Sequence, residues 1–212
     1  MSRRNQPNLF DDVAALPPPS AALVSLAQRI PPSIRFGTST WTYDGWAGEV
    51  YHRSYRSAQP ARWTDELDGF LRRLPRDFRY AVELRNAELL TDAHGAVLAR
   101  HGVAHVFNSW NEMPAIGEQL ELPWTFPAGF TVVRGLLRPG RAYADAVKLF
   151  EPYDRIRDPQ PEVRHDLLRL IAEVVRRHME ALILVNNRLE GNAPGTIRAV
   201  VEMMEQGGKG AG

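Results

Sequence analysis

The chain contains no cysteine. That excludes disulfides, thiolate nucleophiles, iron–sulfur clusters and cysteine-based zinc sites. Lysine is nearly missing as well: of 26 basic residues only Lys148 and Lys209 are lysines, and the rest are arginines. Genomic composition bias is the plain reading of that skew; the sharper one is an arginine-led site for phosphate or carboxylate. Net charge is absent too, because 26 basic residues meet 25 acidic ones, so no overall field points to nucleic acid or an anionic membrane. No run approaches the roughly 20 apolar residues of a membrane helix. Asp11 and Asp12 stand where a signal peptide would need its apolar stretch, which makes the cytoplasm the expected location. There is no glycine-rich dinucleotide fingerprint after a strand, no phosphate loop and no HExxH. The histidines His52, His94, His101, His105, His165 and His178 do not gather at strand ends, and no nucleophile–histidine–acid triad is visible. His105 reads as a core or lumen residue; a metal site built from Glu83 and His105 is the weaker alternative, and no cofactor is identified.

What is present is an ordinary globular composition, 44% hydrophobic and 24% charged over 212 residues, enough for one sizeable domain. Residues 1–30 read as a flexible leader ending in Pro17-Pro18-Pro19, then a short helix capped by Ser20 and running through Arg29. The final GGKGAG, residues 207–212, is expected to be disordered. Between them, residues 31–206 alternate strand and helix. Strands are expected at 33–37, 78–84, 103–107, 131–136 and 181–185. Helices are expected at 61–74, with Thr64 as a late cap, at 87–101 ended by Gly102, and at 142–150, 162–179 and 193–206. Short strands separated by helices indicate parallel βα units and an α/β domain. The connection from the first strand to the second is about 40 residues, long for one crossover.

In parallel α/β folds ligands bind beyond the carboxyl ends of the strands, and every expected strand here ends on polar groups. The first runs into Ser39, Trp41, Tyr43 and Trp46, within the aromatic stretch GTSTWTYDGWAGEVY. The second, FRYAVELRN, ends at Glu83, Arg85 and Asn86. The third ends at Asn108, the fourth carries Arg134, and the fifth ends at Asn186 and Asn187. Strand alternation puts Tyr80, Val82 and Leu84 on one face and Ala81, Glu83 and Arg85 on the other. Opposite charges on an inward face need pairing or a ligand. A structural Glu–Arg pair is the simpler reading, and Arg134 is the residue that would turn the pair into an anion site.

FGTSTWTYDGWAGEVY, YAVELRN, VVRGLL with the following Tyr143, and NNRLEGNAPGTI resemble, in that order, motifs of the domain-of-unknown-function 72 family, the YecE-like proteins. The resemblance covers roughly residues 33–206. It implies a TIM-type (β/α) barrel with these residues at its mouth and implies no activity or cofactor. It also implies a deletion between about residues 51 and 63 that removes three strands. The expectation is an incomplete barrel of about five parallel strands with flanking helices, opened between its first remaining strand and the next. Such an open face favours a homo-oligomer. Three functions compete. The first is binding or processing of a small anionic, phosphorylated ligand, with Glu83 as candidate acid/base, Arg85 and Arg134 on the anion, Asn86, Asn108, Asn186 and Asn187 orienting it, and Ser39, Trp41, Tyr43 and Trp46 around it. The others are a nucleic-acid-binding module, disfavoured by the near-neutral charge, and a shortened paralogue without a complete site.

Overall fold

The computed structural model describes residues 21–38, 60–138, 140–141 and 143–209. Five parallel strands form one sheet: β1 (Ile34–Thr38), β2 (Ala81–Val82), β3 (Ala104–Asn108), β4 (Phe130–Gly135) and β5 (Glu180–Val185). Their spatial order is β1-β5-β4-β3-β2, the order expected for an open sheet whose first strand sits beside its last. Helices α1 (Ala21–Gln28), α2 (Pro60–Leu71), α3 (Asp92–His101), α4 (Ile116–Leu120), α5 (Tyr143–Phe150), α6 (Pro161–Arg176), α7 (Asn187–Glu190) and α8 (Ala193–Lys209) lie before, between and after the strands. The fold is therefore α/β.

The two faces of the sheet differ. Along β5 the residues alternate half-buried and buried without exception, and β4 does so from Thr131 onward. Val133, Ala181, Ile183 and Val185 lie on the sealed side and form one core with Leu167, Leu170, Ile171 and Val174 of α6 and Val200 of α8. The opposite side carries Val132, Arg134, Glu180, Leu182 and Leu184, all half-buried. A parallel sheet normally buries both faces, so this half-covered side is the distinctive surface of the domain.

Several expected boundaries move. The expected strand at 78–84 shrinks to Ala81–Val82, because among the described residues β2 is the outermost strand and bonds only β3. Phe78 is 68% exposed. The alternation nonetheless holds: Tyr80 and Val82 pack with Leu67, Leu71 and Leu98 of α2 and α3, and Leu84 packs with Leu89 and Met113. The expected helix over 87–101 divides into a 3-10 turn (Ala87–Leu89) and α3. Thr91 causes the break, since it is extended and its hydroxyl accepts the His94 N–H at 3.2 Å as an N-cap. Gly102 ends α3 in the left-handed region (φ 63°), as its position suggested. Helix α2 begins at Pro60, a favoured first position, so Thr64 lies inside it rather than capping it. The Ser20 cap falls outside the described residues.

Candidate functional site

Three residues singled out in the sequence come together at the carboxyl ends of β2 and β4. Glu83 Oε2 accepts a hydrogen bond from Arg134 Nη1. Its Oε1 lies 3.3 Å from Arg85 Nε. Glu83 is well covered, with 16% of its side chain exposed, whereas Arg85 keeps 42%. Two guanidiniums thus share one carboxylate, leaving one formal positive charge. The strand order explains why the reach is possible: β3 separates β2 from β4, so Arg134 spans two strand spacings, roughly 10 Å, to meet Glu83.

Trp110 completes the cluster. The Arg85 Cζ sits 4.1 Å from the centre of the indole ring, a cation–π contact that holds the guanidinium plane. Neither Nη of Arg85 makes a hydrogen bond among the described residues. Trp110 is fixed in turn by Asn108, whose Oδ1 accepts the Trp110 N–H at 3.1 Å. Sequence reading passed over Trp110. The available signal was an aromatic two residues past the end of a polar-tipped strand, in HVFNSWNEMP.

The asparagines have other duties. Asn108 is fully buried; its Nδ2 donates to the Leu84 carbonyl at 2.9 Å, and its backbone exchanges hydrogen bonds with Gln119. It fastens the end of β2 to β3. Asn186 caps α7 by accepting the Arg188 N–H at 2.9 Å. Asn187 Oδ1 accepts the Ala193 N–H at 2.8 Å, at the start of α8. Asn86 is exposed and precedes the 3-10 turn without a side-chain cap bond. Ser39, Trp41, Tyr43 and Trp46 lie outside the described residues. A residue with no part in the sequence reading, Ser109, ties the site's floor together by accepting the Leu136 N–H at 2.8 Å.

Glu83 and His105 cannot share a metal ion. The register sets Val82 beside His105, so Glu83, one residue on, points to the opposite face of the sheet. His105 is instead buried on the helix side. Its Nε2 is 3.3 Å from Gln119 Oε1, and the Gln119 amide is oriented by donating to the carbonyls of Asn108 and Pro114. That fixes His105 as the tautomer protonated at Nε2. Its ring and that of His94 both sit edge-on to Trp124, with centroids at 5.5 and 5.7 Å. Burial pushes both histidines down to about 4, and the Gln119 bond only partly opposes this at His105. Among the described residues no group of three or more His, Asp or Glu is arranged to hold a metal. No described helix is long and apolar enough to cross a membrane.

Comparison with known proteins adds a family. The model of the family described as "Protein of unknown function DUF72" matches residues 54–211. Among solved structures, a DUF72 family protein from Thermotoga maritima MSB8 aligns with a TM-score of 0.46 and 21% sequence identity. The alignment covers 67% of this chain and 51% of that one, so the chain spans about half the length of that relative. No curated protein matches.

Proposed function

The chain belongs to the DUF72 family, and from that premise we propose that it binds a small anionic ligand at the Glu83–Arg85–Arg134 cluster, with Arg85 as the cation that faces the ligand. The observation that carries this reading is the state of Arg85. It is half-exposed at a strand end, its plane is held on Trp110, and both Nη groups have no partner among the described residues. A guanidinium so held offers a planar pair of donors, matched to a carboxylate or a phosphoryl group. Glu83 acts in this reading as an anchor rather than as an acid or base, because one oxygen is bonded to Arg134 and the other is shielded beside Arg85. Phosphorylated metabolites and small carboxylates are the ligand classes to try. A thermal-shift panel on the full chain tests this: stabilisation by such anions that falls at least about tenfold in apparent affinity in Arg85→Ala agrees with the loss of a charge-assisted bond. Absence of any response across the panel sinks the reading and leaves the shortened paralogue. A response confined to nucleic acid, weakening steeply with salt, would instead establish phosphate-backbone binding.

In the same reading the open sheet is part of a (β/α) barrel, and its half-covered face self-associates. Supporting this are the half-buried Val132, Leu182 and Leu184 on one side and β2, which among the described residues is bonded on one side only. Sedimentation is expected to give a concentration-dependent mass; a monomer at all concentrations that unfolds cooperatively contradicts it.

A further inference from the structure

At the amino ends of β2 and β3, opposite the Glu83 cluster, lies a second concavity that nothing above uses. Leu71, Leu74, Phe78, Tyr80, His101 and Val103 line an open cleft of about 140 Å³. Its floor is apolar and firm, since Leu71 and Val103 are core residues beneath it. Its wall is aromatic: Phe78 stands edge-on to Tyr80 with ring centroids 6.5 Å apart. Phe78 is the most exposed large hydrophobic side chain among the described residues. The lining histidine is anchored from behind, with His101 Nε2 2.8 Å from Asp68. That carboxylate is further engaged by Arg72 and Arg100, so it does not put an uncompensated negative charge against the cleft. Arg76 lines the rim and makes no ion pair among the described residues.

We propose that this cleft binds a small aromatic monocarboxylate, its ring between Leu74, Phe78 and Val103 and its carboxylate on Arg76. The volume admits the ring, since roughly 150 Å³ is room for a benzene-sized group, and Leu74, Phe78 and Val103 give it apolar contact. Charge selects the anion: Arg76 is a fork with no ion-pair partner among the described residues at the rim of the cleft, and a neutral hydrocarbon would leave it unused. The exposed Phe78 side chain gains from being covered. Ligands of this class are those with one ring and one acidic group separated by a short linker.

The test is a titration of the ¹⁵N-labelled full chain, followed by amide chemical shifts. Phenylacetate is the probe, 2-phenylethanol its neutral counterpart and acetate the charge without the ring. Phenylacetate is expected to shift the amides of Leu74, Phe78 and Val103 saturably. The alcohol binds at least about tenfold more weakly, as does phenylacetate to Arg76→Glu, each losing one charge-assisted bond. Acetate leaves these amides unmoved. Phe78→Ser, at an exposed position where folding is not at stake, weakens phenylacetate while leaving the remaining spectrum in place. The inference is overturned if no saturable shift appears at these amides, if Arg76→Glu binds as well as the unaltered chain, or if shifts scatter over the surface as an adventitious additive only.

Discussion

Acid is expected to loosen this domain as pH falls from 6.5 towards 4, and the cause is the pair of buried histidines. His94 and His105 have no solvent exposure, and burial lowers each from 6.5 to about 4. Between those values the unfolded chain binds protons that the folded chain refuses. The stabilisation is thus fully present above pH 6.5 and drains away as pH falls towards 4. At pH 5 an unfolded histidine is almost wholly protonated and these two are almost wholly neutral, which costs about 2 kcal/mol per ring relative to pH 8. Two rings give about 4 kcal/mol, a large share of a typical stability of roughly 5–15 kcal/mol. With a urea slope of about 2 kcal/mol/M the unfolding midpoint should fall by about 2 M between pH 8 and pH 5. The depressed carboxylate of Glu173 does not blur this window. Glu173, held down to about 2 by hydrogen bonds from Arg176 and Arg177, sheds its contribution only as pH drops below its unfolded value of 4.5. Urea melts followed by circular dichroism at pH 8, 7, 6 and 5 provide the measurement. His94→Phe is the informative variant, because neither ring nitrogen has a partner among the described residues, and phenylalanine keeps the edge contact with Trp124. It should halve the pH slope, and adding His105→Gln should nearly abolish it. A midpoint that does not move from pH 8 to pH 5, or a double variant with the full slope, refutes the reasoning.

Other perturbations probe the frame and the site. Glu190 is fully buried and accepts the Gln160 N–H at 2.5 Å while pairing with Arg164 at 2.9 Å; Glu190→Ala strands that guanidinium and should cost about 3–5 kcal/mol in urea melts. A Cβ on Gly95 would overlap the Trp124 indole, so Gly95→Ala should cost about 1–3 kcal/mol and shift tryptophan fluorescence. Glu83→Gln removes the charge that competes with a bound anion for both arginines, so anion affinity in the thermal-shift panel should rise while stability without ligand falls; weaker anion binding in this variant would return Glu83 to a direct role.

How much of this was legible in the sequence depended on range. The period-2 pattern of YAVEL placed Glu83 and Arg85 on the face opposite Tyr80 and Val82, and the packing of Tyr80 and Val82 on α2 and α3 agrees. Gly102 was readable because only a glycine ends a helix so cheaply in the left-handed region. Thr91 was not, because Ala87–His101 carries helical spacing through it and the break is made by one hydroxyl. The shortness of β2 was hidden too, since strand propensity does not say that a strand lies at an edge. Asn108 looked like a ligand group at a strand end; its real partners, Leu84 and Gln119, stand 24 and 11 residues away. Trp110 acquires meaning only through Arg85, a contact across two βα units that no local pattern encodes.

The two arginines on Glu83 should part company when each is removed, and that difference decides whether the cluster is a brace or a site. Arg134 reaches across β3 to the end of an edge strand that has only two paired residues. Removing it leaves a well-covered carboxylate without its hydrogen bond, so Arg134→Ala should lose about 1–3 kcal/mol and loosen β2. Arg85 is 42% exposed and meets Glu83 at 3.3 Å, a geometry that contributes about 0–1 kcal/mol; the indole face adds about as much again at most. Arg85→Ala should therefore unfold within about 1–2 kcal/mol of the unaltered chain while hydrogen exchange at β2 stays unchanged. If that near-neutral variant also loses the thermal response to anions, binding has been removed without the fold, and Arg85 is a ligand contact. Should Arg85→Ala unfold as readily as Arg134→Ala, both guanidiniums are bracing the edge strand, and the anion reading loses its support.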